Sequence, residues 1–127
     1  FALLLADPRQ AAAIVRRIAT LDAAFWFASR EPEGLTLLLP EPCLGELGDL
    51  LLAARFELHR YRVLTFLPVL AWNVVGFLAG IARELAQAAI PLGAISAFER
   101  DHLFIRADLA ARAQAVLQAA VWTGRLP

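Results

Sequence analysis

Lysine and methionine are both absent from this 127-residue chain, and cysteine occurs once, at Cys43. A lone cysteine excludes any disulfide within the chain and fits a reducing, cytoplasmic setting. All 12 basic residues are arginine; they are offset by 12 acidic residues and gather into no basic run. The electrostatic footprint of a nucleic-acid binder is therefore missing, and no nucleic-acid partner is expected. There is no phosphate loop, no nucleophile elbow and no pair of acids at catalytic spacing. His59 and His102 have no carboxylate or cysteine at metal-ligand spacing, so no metal is expected. Cys43 follows Pro42 and lacks a neighbouring cation or base, which argues against a nucleophile. The chain is thus expected to be no enzyme, with no catalytic residue and no cofactor. Residues 1–6 are too short, and lack the basic flank, for a signal peptide.

What is abundant is apolar surface: 60% of the residues are hydrophobic and the mean hydropathy is +0.61. No charged side chain lies between Arg62 and Arg83, and an apolar run of about 20 residues is long enough to span a bilayer. A membrane span near residues 63–82 is therefore one reading. Local chemistry favours another. Residues 62–67 are β-branched and aromatic, as in a strand, and Pro68 divides the run. Beyond it Val74, Phe77, Leu78, Ile81, Leu85 and Ala88 recur at helical spacing, with Arg83, Glu84 and Gln87 on the other side. Asn73 is placed to cap a helix over residues 73–89, and Pro91-Leu92-Gly93 restarts an extended run. This reading gives a soluble protein.

The remainder follows the same logic. Residues 1–6 read as a buried strand, and Asp7-Pro8 as an N-cap followed by proline at the first helical position. Ala11, Ile14, Val15, Ile18 and Leu21 mark one helix face. Residues 23–29 and 35–39 are strands joined by the turn Glu31-Pro32-Glu33-Gly34. Residues 43–54 form a weak helix, since Gly45 and Gly48 each cost about 1 kcal/mol relative to alanine. Residues 56–67 are extended, as two strands meeting near His59-Arg60. In the second half, strands at 92–98 and 101–106 flank a turn at Glu99-Arg100. Asp108 caps a last helix whose face is Leu109, Ala113, Val116, Leu117 and Ala120, and residues 121–123 close as a strand.

Strand, helix, strand, strand, helix, strand, written twice, is the ferredoxin-like unit. The expected fold is α+β: two βαββαβ repeats, residues 1–59 and 60–127, with antiparallel sheets and helices on one face. Each copy of about 60 residues is marginal alone, so the two are expected to pack as one body.

Several stretches resemble a known family. Tyr61-Arg62-Val63-Leu64, the glycine of Asn73-Val74-Val75-Gly76, Ala88-Ala89-Ile90, and Ile95, Ser96 and Asp101 within residues 94–102 are similar to small bacterial double-ACT proteins. These are related to the CASTOR arginine sensors and to aspartokinase regulatory domains. The first hairpin, from Phe25 to Glu41, resembles the same family. The resemblance covers nearly the whole chain and is most specific from Tyr61 to Arg106. It implies a regulatory homodimer that binds a free amino acid between paired ACT units, near Asn73, Gly76, Ile95, Ser96 and Asp101. A helix N-terminus would offer amides to the ligand carboxylate, Gly76 would allow close approach, and Asp101 would pair with the ammonium. Where relatives carry polar residues this chain has Leu67, Ala71, Val75 and Ala97, and glycine of the third motif is replaced by Ala89. The implied site is less polar than usual and suits an apolar ligand. A structural dimerisation module without ligand is the alternative. Blander roles stand beside three of these residues: helix packing for Gly76, a plain cap for Asn73, and a hairpin turn for Asp101.

Overall fold

The computed structural model describes residues 1–67 and 74–126. They fall into two compact units, residues 1–60 and 61–127.

The first unit contains β1 (Ala2–Ala6), α1 (Ala11–Ile18), β2 (Phe27–Glu31), β3 (Gly34–Leu39), α2 (Leu44–Leu47) and the start of β4 (Arg55–Thr65). Its strands are ordered β2-β3-β1-β4, and every pairing is antiparallel. Asp7 caps the turn that leads into α1 by accepting from the Arg9 backbone N–H at 2.8 Å, with Pro8 directly after it. Ala2, Leu4 and Ala6 alternate inward on β1 and meet Ala11, Ile14 and Ile18 of α1, the period-2 and period-3.6 patterns that put helices on one sheet face. Val15, expected on the buried face of α1, is exposed. The weak helix expected over residues 43–54 is a broken run, a single α-turn between two 3₁₀ turns. Cys43 is buried in this core. Residues 55–65 form one continuous strand, not two.

In the second unit, residues 61–65 of β4 pair with β6 (Asp101–Arg106), which pairs with β5 (Gly93–Ser96). α3 (Phe77–Gln87) and α4 (Ala110–Trp122) cover one face. Leu103 and Ile105 of β6 are fully buried against Ile81 and Leu85 of α3 and Ala113 and Leu117 of α4. Among the described residues no helix is long and apolar enough to cross a membrane. Pro68, which was expected to divide the apolar run, lies outside the described residues.

Three expectations fail here. Residues 121–123 are not a strand. α4 runs on to Trp122 and ends where Gly124, at φ 69°, reverses the chain. The Arg125 N–H donates to the Ala120 carbonyl at 2.8 Å and the Gly124 N–H to Val121 at 3.0 Å, a Schellman cap. Asp108 does not cap α4; it receives the Arg106 guanidinium at 2.6 Å, and Leu109 holds the cap position. Glu84, expected on the solvent side of α3, is buried at 6% exposure. Its Oε2 accepts from Arg125 Nε at 3.1 Å, an ion pair delivered by the reversal at Gly124.

α3 ends in the same kind of cap: Ile90 N–H donates to Leu85 and Ala89 N–H to Ala86, both at 2.9 Å. Here the left-handed residue is Ala89, at φ 54°, where a Cβ costs roughly 1–2 kcal/mol. Ala89→Gly is therefore expected to stabilise the chain by about 1 kcal/mol, read as a higher urea midpoint at unchanged slope. Breaking the buried pair works the other way. Arg125→Ala leaves the Glu84 carboxylate without its counter-charge and is expected to cost about 1–3 kcal/mol. Glu84→Gln added to Arg125→Ala should recover part of that loss in a double-mutant cycle. Hydrogen bonds from Arg9 hold the Asp7 carboxyl below its ordinary 3.8. A depressed carboxyl stabilises the fold above its unfolded value and stops doing so as pH falls through the folded one. Asp7→Asn should flatten that acidic limb in a pH series of thermal melts.

Candidate functional site

The first turn of α3 begins without a side-chain cap. Gly76 occupies the N-cap at φ 87°, a left-handed conformation that glycine adopts without a steric penalty. Its carbonyl accepts from the Gly80 N–H at 2.9 Å, while a Cβ built on Gly76 would meet no described residue within 4 Å. Among the described residues the backbone at Gly76 is thus uncovered. The leading N–H groups of a helix have no partner within it and lie at the positive end of the helix dipole.

Gly76 lines a cleft of about 180 Å³ with Val74, Val75, Phe77, Gly80, Arg83, Arg125 and Leu126. This is smaller than the roughly 300–1,000 Å³ of sites for drug-sized ligands, a scale suited to a molecule with few heavy atoms. Its walls are apolar except for two guanidinium groups. Arg83 is exposed and makes no ion pair among the described residues. Arg125 is held in place from behind by buried Glu84. Leu126 closes one side: a Cβ at Gly80 would come within 2.9 Å of its side chain, so Gly80 lets the tail lie close on α3. The arrangement is cationic and small, and it matches a carboxylate attached to an apolar body.

The other residues expected at the site lie elsewhere. Ile95 and Ser96 end β5, opposite His102 and Asp101 at the start of β6. The Asp101 carbonyl accepts from Phe66 N–H at 3.1 Å, and Ala97 N–H donates to the Arg100 carbonyl at 3.0 Å, closing the hairpin. Ser96 is exposed and Asp101 half-buried. The structure therefore brings Ile95, Ser96 and Asp101 together at one hairpin end, and none of the three lines the Gly76 cleft. Asn73 lies outside the described residues. His102 has its Nδ1 3.0 Å from Thr65 Oγ1, a cross-strand contact. Sequence reasoning missed Arg83, Arg125 and Glu84. Arg83 was read as solvent-facing charge; the glycine before Arg125, a helix stop signal, was the one local hint that the tail turns back.

The comparisons with known proteins agree with this geometry at the level of fold. Residues 59–119 match the ACT domain family. No curated protein matches the sequence significantly. A crystal structure of a protein of unknown function from Vibrio cholerae, described as a possible transport protein, is 23% identical. It aligns over 91% of this chain and 80% of its own, with a TM-score of 0.65. The aspartokinase alpha and beta subunits are 14% identical over 94% of this chain and 91% of theirs, with a TM-score of 0.71. The ligand-free regulatory subunit of aspartate kinase from Thermus thermophilus is 15% identical over 94% and 90%, with a TM-score of 0.68. Residues 59–119 thus match the ACT domain family, and the chain shares the fold of aspartokinase regulatory subunits.

Proposed function

We propose that this chain is a regulatory ACT-type module that binds a small free amino acid, acts as a homodimer and is not itself an enzyme. The observation that carries the binding reading is the convergence of Arg83, Arg125 and the open first turn of α3 on the cleft at Gly76. A carboxylate placed there would receive charge-assisted hydrogen bonds from a guanidinium and from helix amides. Val74, Val75, Phe77 and Leu126 would then surround the rest of the ligand, which favours an apolar side chain. The ACT match and the resemblance in fold to regulatory subunits of aspartate kinase support the regulatory role. Regulation would follow by population shift, the ligand favouring whichever packing of the tail completes the cleft. The ligand-free dimerisation module is the second reading, favoured by the exposure of Val75, Phe98 and Trp122.

Thermal melting against each of the twenty amino acids at millimolar concentration tests the binding reading. A ligand specific to the folded state adds about 2.7 kcal/mol at one hundred times its dissociation constant. A small apolar amino acid is expected to raise the melting temperature. Arg83→Ala should leave the ligand-free melt unchanged and weaken binding roughly 10- to 100-fold, the worth of one charged hydrogen bond. If none of the twenty shifts the melt, the amino-acid reading falls and the dimerisation module stands.

A further inference from the structure

The first unit carries a trough on the sheet face turned away from α1. Ala2, Leu4 and Ala6 pack on the helix side of β1, so Leu3 and Leu5 belong to the other face, and both are half-buried there. Leu5 stands opposite Thr36 on β3 and Arg55 on β4. A trough of about 630 Å³ opens over these residues, within the roughly 300–1,000 Å³ of binding pockets. Glu31, Glu33, Glu57 and Arg55 stand around its leucine floor. The β2–β3 turn supplies the first two. Gly34 has no Cβ to strike the Ala6 carbonyl and the Leu5 side chain, so the turn lies close against the end of β1.

The charges around the trough are unbalanced, three carboxylates against one guanidinium. Elsewhere the chain answers its carboxylates: Arg9 pairs with Asp7, Arg60 with Glu41, Arg106 with Asp108 and Arg125 with Glu84. Here Glu31 Oε1 only accepts from Thr36 Oγ1, at 3.1 Å. Among the described residues Glu33, Glu57 and Arg55 make no ion pair, and all four charged groups are exposed. Like charges held together oppose the folded state and set up a negative potential over the trough. That potential draws a cation. An apolar floor beneath a carboxylate rim matches lysine or arginine, whose methylene stem lies on apolar surface while its head stays among charges. Phe56 also lines the trough and is 46% exposed, which leaves apolar surface for a hydrophobic neighbour of that cation.

We infer that this trough is a docking surface for a basic, partly apolar segment of a partner protein. A lysine or arginine stem lies on Leu3 and Leu5, its head among Glu31, Glu33 and Glu57, and an apolar neighbour rests on Phe56. The inference goes beyond the amino-acid reading and stands without any ligand at Gly76.

Fluorescence anisotropy of a labelled peptide that alternates lysine and leucine tests it, with the same peptide carrying glutamate for lysine as control. The lysine peptide is expected to bind, and to bind more weakly as salt screens the exposed charges; the glutamate peptide is expected not to bind. Glu57→Lys should keep its fold by circular dichroism and lose about tenfold or more in affinity, since it sets like charges against each other. Glu33→Lys decides alone if Glu57→Lys does not fold. Glu99→Lys makes the same change of net charge at an exposed turn of the other unit and should leave the affinity as it was. No binding of the lysine peptide overturns the inference. So does a loss at Glu99→Lys equal to that at Glu57→Lys, which reads general charge attraction. Spermidine that binds as tightly as the peptide, and is lost in Glu57→Lys, overturns the protein partner in favour of a small polyamine.

Discussion

Leu103 and Ile105 organise the second unit. Both are on the helix-facing side of β6, both are fully buried, and both α3 and α4 close over them. Burying such a side chain contributes about 1.5–3 kcal/mol, and the period of two along β6 sets which residues do so. That leaves His102, Phe104 and Arg106 to the opposite face. There Phe104 lies over Gly93, whose Cβ, if it had one, would fall within 1.9 Å of the ring, and stacks edge-on with Tyr61 at 5.6 Å. The glycine and the aromatic are thus one packing unit across β5, β6 and β4.

Once the two helices are fixed, their ends decide where polar groups go. Both finish in the same hydrogen-bonded reversal, one built on glycine and one on alanine. The reversal after α4 returns Arg125 to Glu84 and lays Leu126 on Gly80. A buried carboxylate is costly unless paired, so the tail is tied to α3 by the need to satisfy Glu84 as well as by apolar contact. The cationic cleft at Gly76 is a by-product of that tie, because the guanidinium that answers Glu84 also forms one of its walls.

The sequence disclosed what is decided within a few residues. Asp7-Pro8 announces a helix start because the capping oxygen and the proline ring act on the adjacent turn. Pro32-Glu33-Gly34 announces a hairpin for the same kind of reason, and the alternation of β6 follows from its own residues. The resemblance to ACT proteins was legible from short motifs spread between Tyr61 and Arg106. What stayed hidden depends on partners remote in the chain. Glu84 read as exposed because carboxylates usually are, and its partner lies 41 positions away. Val121-Trp122-Thr123 read as a strand from side-chain type, but the helix already running through Leu117 and Ala120 overrode that preference. Val15 had the spacing of a core residue and lies at the margin of the helix face. Of the candidate site, Gly76 was legible as a backbone opening; the arginines around it depend on a tail whose course only the folded chain reveals.

Cys43 is the one thiol of the chain, and it is 7% exposed within the core of the first unit. A reagent that attacks thiols can reach it only when that core opens, and nothing in the second unit answers to the same chemistry. The protein therefore carries a built-in clock for the breathing of one half. The rate of labelling reports on the opening of the core around Cys43, with no substitution and no added probe.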